Sequence, residues 1–326
     1  MKITFLGTSS GVPTKTRNMS GLALGHPDSK KWSLIDCAEG TQQQLLNTPF
    51  SLTKLDSIFI THIHGDHCYG LPGLLGSAQM AGRTKRLTVF APEGVEAFVL
   101  AAINNTQLYI DYKLEFITVS SATTLVTTDK LEIRSWPLSH RVPSFAYQFI
   151  ETGIDQALNT QKLAEAGIKP GPTYALIKKG LPVTLDDGSK LDAQLFLFPP
   201  RAPRNIIVSG DNDTPSLLNQ AASNANVLIH EATYTEETLL KVGEGRQHCS
   251  AKRIASFAQA ASIPYLLLTH FSARYHDSVD SKNSIAAIFD EARQQYQGKL
   301  ILARDLDSYQ LMADGTLMTI EDNCIA

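Results

Sequence analysis

Cysteine is scarce in this chain and does not pair in sequence: Cys37, Cys68, Cys249 and Cys324 are scattered, with no C-x-x-C among them. That excludes a disulfide framework and a thiolate zinc site, and makes the cytoplasm the expected compartment. Charge of either sign is also in short supply. A net charge of −3 over 326 residues advertises no polyanion partner, so any nucleic acid has to be met by local patches. No run of about 18 apolar residues occurs, and Met1 to Gly7 pass straight into strand-like sequence without a cleavage-site pattern. Neither membrane insertion nor export is indicated. The 43% of hydrophobic residues is enough for one large core or two small ones.

Histidine is where the chain spends its chemistry. There are nine in all, and three fall with a carboxylate in the six positions of His62-Ile63-His64-Gly65-Asp66-His67. The preceding Ser57 to Thr61 reads as a short strand, and Gly65 is expected to permit a sharp turn. In extended chain, residues i and i+2 point the same way. His62 and His64 can therefore hold one cation while Asp66 and His67, past the turn, face a second.

The rest of the chain repeats one plan, in which a strand ends on a polar residue and a helix follows. Strands are expected at residues 2–6, 32–37, 87–90, 114–119 and 130–135, with helices near 42–47, 71–81 and 93–104. His140 stands just past a strand, and so do Asp211, after Asn205 to Ser209, and His270, after Pro264 to Thr269. His248 precedes a helix expected from 251 to 261, and 284–297 reads as an amphipathic helix. This is α/β sequence with helices covering sheets. Residues of about 151–204 differ: Gly, Pro, Lys and Asp are frequent, apolar periodicity is short-lived, and Pro170-Gly171-Pro172 lies at the centre. They read as an inserted arm, and loops this long in compact domains are usually functional or disordered. Strand-end residues of an α/β fold converge at one sheet edge, so His62, His64, Asp66, His67, His140, Asp211 and His270 can meet there.

The order H-x-H-x-D-H, then a lone His, an Asp and a His at strand ends, resembles the metallo-β-lactamase superfamily. More narrowly the chain resembles the short form of ribonuclease Z, the transfer-RNA 3′-processing endonuclease. The marks are Pro13 to Asn18, Leu34 to Thr41, His140 to Ser144, the Pro170-Gly171-Pro172 arm, His230-Glu231-Ala232-Thr233 and His270 to Tyr275, which span nearly the whole chain. The resemblance implies a four-layered αββα metallo-β-lactamase fold in a single domain over 1–326 with an inserted flexible arm. It implies two zinc ions per subunit, exchangeable for manganese: one at His62, His64 and His140, a second at Asp66, His67 and His270, and Asp211 between them. Asp66 would also orient or deprotonate the attacking water, and His248 would protonate the departing 3′ oxygen. His230 is expected to be buried and to steady the site, with Glu231 as its partner. The substrate implied is a transfer-RNA precursor, gripped at phosphates by Lys15, Arg17, Arg83, Lys169, Lys178 and Lys179. A homodimer is implied as well, one subunit's arm serving the other's site.

Two features depart from that pattern. Asp211-Asn212-Asp213-Thr214-Pro215 replaces the usual Asp-Thr-Arg-Pro, and Glu151 to Asp155 lacks basic residues. Two rival readings follow from the same residues. A dinuclear hydrolase of a small phosphodiester, sulfate ester or lactam would have no need of the arm, and an RNA-binding module with structural metals would favour cysteine ligands.

Overall fold

Strands that are apolar on both faces have to be covered on both faces, and the chain does this with four layers. The structure, a computed structural model, describes residues 1–184, 188, 190–278 and 283–320; Cys324 lies outside them. One sheet runs in the order Leu317–Ile320, Ser308–Leu311, Lys2–Gly7, Gly21–Gly25, Trp32–Cys37, Leu55–Phe59, Leu87–Ala91, Leu114–Thr118. The other runs Lys299–Leu302, Tyr265–Thr269, Val227–Glu231, Asn205–Val208, Ser144–Glu151, Leu131–Leu138, Thr123–Thr127.

The strand Asn205–Val208 shows how the layers arise. Ile206 and Val208 face the other sheet, packing in one cluster with Phe5, Ile35, Phe59 and Tyr147, while Ile207 faces outward into a cluster with Ile254 and Ile288 of two covering helices. Leu34 and Ile58 do the same on the first sheet, against Leu71, Leu75 and Val99. Gly21–Gly25, read as Gly-Leu-Ala-Leu-Gly, has no β-branched or aromatic residue and gives no strand signal. It becomes a strand because Lys2–Gly7 and Trp32–Cys37 flank it and satisfy its backbone on both sides.

Ser144–Glu151 starts beside the histidine cluster, where the Phe145 amide donates to Thr61 O at 3.0 Å, and runs away from it. The arm therefore leaves the body at the opposite pole. Its foot is clasped there: Arg201 and Arg204 both donate to the Glu151 carboxylate at 2.6–2.9 Å through their guanidinium groups. Burial alone would raise the Glu151 pKa, but these bonds outweigh it and hold it at about 2. Beyond the clasp the arm has helices Thr160–Glu165 and Pro172–Lys178 and a small apolar cluster of Leu163, Ile168, Ile177, Val183 and Ala193. Among the described residues no helix is long and apolar enough to cross a membrane.

Candidate metal centre

His62 follows the strand Leu55–Phe59 in extended chain, and His64 precedes the single helical turn Gly65–Cys68 that carries Asp66 and His67. Gly65 does not have the positive φ that the expected sharp turn suggested. It is small because a Cβ would fall 2.2 Å from the Tyr69 ring. Gly210 has a comparable role: its Cβ would meet Thr61 Cβ at 2.6 Å, so only glycine lets the Asp211 loop lie against the histidine loop.

The three strand-end candidates come to the same place. Asp211 Oδ2 lies 3.7 Å from His62 Nε2 and 3.7 Å from His140 Nε2, and its Oδ1 lies 3.6 Å from His67 Nε2 and 3.4 Å from His270 Nε2. Two groups of three form on its two sides: His62, His64 and His140, and Asp66, His67 and His270. Their nitrogens are arranged for cations. His140 Nδ1–H donates to Gln247 O at 2.8 Å and His67 Nδ1–H to Asp36 Oδ2 at 2.7 Å. In the neutral form each thereby presents an unprotonated Nε2 inward. Yet His140 Nε2 faces His64 Nδ1 at 3.2 Å, His67 Nε2 faces His270 Nε2 at 3.2 Å, and His62 Nε2 is buried with no hydrogen-bond partner among the described residues. Ring nitrogens aimed at one another, beside a buried nitrogen without a hydrogen bond, fit bound metal cations.

The electrostatics divide between the members of the cluster: burial lowers the His67 pKa, but Asp66, Asp36 and Asp211 raise it to about 10, so a cation held there displaces a proton. Burial first, and then the neighbouring imidazoles, keep His62 well below the usual histidine range, which favours the neutral, ligating form. For Asp66 burial acts upward, but His67, His270 and the Gly11 amide, at 2.7 Å, hold it far below the usual carboxylate range. His248 stands at the rim with its Nδ1–H 3.1 Å from Glu231 Oε2. Burial would lower its pKa, but Glu231, with Asp211 and Asp66, raises it to about 9. These carboxylates favour the charged form of His248. A cleft of about 370 Å³, lined by His64, Asp66, Asp211, His248 and Arg141 among others, opens over these groups.

Several residues that hold this arrangement went unassigned in the sequence. Asp36 has φ 58° and accepts from the Thr61 amide at 2.7 Å and the Thr61 hydroxyl at 2.9 Å, as well as from His67. Asn212, buried, donates its side-chain amide to His230 Nε2 at 3.2 Å and its backbone N–H to Glu231 Oε1 at 2.8 Å. Thr233 contacts His270 Nδ1 through its hydroxyl at 3.0 Å. Arg141 puts a cation into the cleft. Strand-end acidity could have flagged Asp36; nothing in sequence could have flagged Thr233.

His230 and Glu231 are both buried, and His230 Nδ1–H donates to Glu231 O at 2.8 Å. Lys15, Lys169, Lys178 and Lys179 are exposed. Arg17 and Arg83 require correction as phosphate contacts, since each is inside the body. Arg17, 5% exposed, donates to Thr8, Ala303 O and Asp277 and stacks on Phe271, while Arg83, 4% exposed, donates to Leu52 O, Lys85 O and Arg86 O. Their guanidinium groups are already spent on loop carbonyls and side chains.

A family model described as Anti-Pycsar protein Apyc1 matches residues 1–108. A protein of Marinobacter nauticus named ribonuclease Z is 47% identical, over 99% of this chain and 100% of its own length. One of the same name from Bacillus velezensis is 38% identical, over 92% of this chain and 96% of its own length. The crystal structure of human tRNase Z, short form, superposes with a TM-score of 0.65 at 22% identity, covering 94% of this chain and 98% of that one, which shows a shared fold.

Proposed function

The chain belongs to the ribonuclease Z family, metal-dependent hydrolases of the metallo-β-lactamase superfamily, and from that premise we propose that it cuts the 3′ trailer from transfer-RNA precursors in the cytoplasm. The observation that carries this reading is the convergence of seven His and Asp donors beside His248, an imidazole that Glu231 holds at the rim of the cleft.

In this reading His62, His64 and His140 would hold one ion and Asp66, His67 and His270 a second, with Asp211 within reach of both groups. Zinc is the ion that a donor set this rich in imidazole favours, with manganese able to replace it. When bound, the ions supply Lewis acidity and counter-charge for the scissile phosphate. The residues do the rest. Asp66 would orient the attacking water, its carboxyl being held too far below the usual range to serve as an effective base. His248, fixed by Glu231, aims its other ring nitrogen at the cleft and protonates the departing 3′ oxygen, so that the transfer RNA keeps a 3′-hydroxyl and the trailer leaves with the phosphate. Arg141 offsets charge on the bound RNA.

The arm, about residues 151–204, is assigned to RNA binding through Lys169, Lys178 and Lys179, with Lys15 nearer the cleft. Because the arm leaves from the pole opposite the metal centre, it serves a partner subunit's site more readily than its own. A homodimer is part of the same proposal, and exposed Leu46 (83%), Met80 (89%) and Tyr109 (69%) are the candidates for its apolar contacts. Light scattering should find a dimer that Leu46→Asp with Met80→Asp splits into monomers; an undisturbed dimer would refute those contacts.

The test of the activity is cleavage of precursors carrying or lacking an encoded CCA, with zinc or manganese, followed by sequencing of the ends. His248→Ala should lose about 10²–10⁴-fold in rate while metal content stays intact. Asp66→Ala should lose both. Retained cleavage in either variant would sink the assigned roles.

A further inference from the structure

A groove of about 550 Å³ lies at the pole from which the arm leaves, lined by Lys2, Lys30, Lys31 and Lys54 with Phe50 and Arg204 among others. The strand Lys2–Gly7 connects this groove to the metal-bearing end, and its six residues put the two roughly 20 Å apart. The groove is thus separate from the site described above, and Arg204 makes it continuous with the clasp at the foot of the arm.

The charges divide into used and unused. Arg204 is committed to Glu151, and Lys31 is paired with Asp56 at 2.8 Å. Lys2 lies with its ammonium 5.6 Å from the centre of the Phe50 ring. Lys30 and Lys54 are exposed, and neither has an acidic partner among the described residues; the one carboxylate on the lining, Asp28, is itself exposed. In a protein with a net charge of −3, a groove carrying this excess of lysine is a local electropositive field. Its open form and its separated ammonium groups suit a chain of phosphates better than a single small anion.

We infer that this groove is an RNA-backbone track, in which Lys30 and Lys54 each contact a phosphate of the precursor held by the arm. The inference rests on the transfer-RNA reading proposed above. It extends the RNA surface from the arm down onto the body and adds residues that neither touch the metals nor belong to the arm.

Steady-state cleavage of a transfer-RNA precursor by the metal-loaded enzyme, from 50 to 200 mM salt, tests it. The Lys30→Ala/Lys54→Ala variant should lose about tenfold in kcat/KM near 0.1 M salt, through KM rather than kcat. Its plot of log kcat/KM against log salt should be shallower by about 1.5, the share of two phosphate contacts. Hydrolysis of bis(p-nitrophenyl) phosphate should be unchanged, and Lys30→Arg/Lys54→Arg should keep wild-type values. If the wild type cleaves the precursor and the alanine variant matches it in KM and slope, the groove is refuted while the transfer-RNA reading stands. A wild type that does not cleave the precursor overturns both, and equal losses on the two substrates overturn the groove.

Discussion

Replacing Asp36 by Asn should cost the second metal position its affinity while leaving the backbone in place. Asp36 holds a left-handed conformation, φ 58°, which Asn adopts as readily as Asp, so the change is isosteric without added strain. What changes is the hydrogen-bond sense. Asp36 accepts three times, from the Thr61 amide at 2.7 Å, the Thr61 hydroxyl at 2.9 Å and His67 Nδ1–H at 2.7 Å. Asn has one acceptor oxygen, which the Thr61 amide keeps, and an NH2 that turns toward His67. The imidazole then answers by moving its proton to Nε2, the nitrogen that faces Asp66, Asp211 and His270. A protonated Nε2 cannot ligate. Loss of such a supporting carboxylate lowers metal affinity by about 10–100-fold, or about 1.4–2.8 kcal/mol. Chelator competition with metal analysis should show two ions in the wild type and, in Asp36→Asn, one retained and one released at lower chelator concentration. Two ions held with wild-type affinity would refute the assignment of His67 and of its tautomer.

Two further outcomes are expected. The Glu151 carboxylate, at about 2 in the folded protein against 4.5 for a free side chain, contributes stability that is fully present above pH 4.5 and is lost as the pH falls through about 2. The lowered pKa means that the charged carboxylate favours the folded state, by on the order of 1–3 kcal/mol once solvent screening of the part-exposed clasp is counted. Urea unfolding of metal-stripped protein should show Glu151→Gln that much less stable near neutrality, with the gap closing in acid; a gap that does not change with pH would contradict the clasp. In the arm, Ile177 is fully buried in a cluster of five residues, and Ile177→Ala should remove about 2–4 kcal/mol, more than so small a cluster can lose. Precursor cleavage should then fall at least tenfold, as it should on deletion of residues 160–190, with bis(p-nitrophenyl) phosphate hydrolysis preserved; equal losses on both substrates would remove the arm from RNA binding.

The sequence by itself determined the ingredients of this protein. Local composition marks strands such as Trp32–Cys37, because β-branched and aromatic runs bounded by turn residues state their conformation without help. The same local rule exposed each ligand candidate at a strand end. Whatever depended on neighbours distant in sequence stayed hidden. Gly21–Gly25 is a strand only because two others flank it, and Arg17 and Arg83 look like free cations until Ala303 O and Leu52 O are found at their guanidinium groups. Asp36 orients His67 across 31 residues, and Asn212 meets His230 across 18. Tertiary structure decided these, because a side chain's role is set by which groups its burial leaves it to pair with, and that pairing is long-range. It also put the arm and the lysine groove at one pole and the metals at the other, a separation that the order of residues along the chain does not contain.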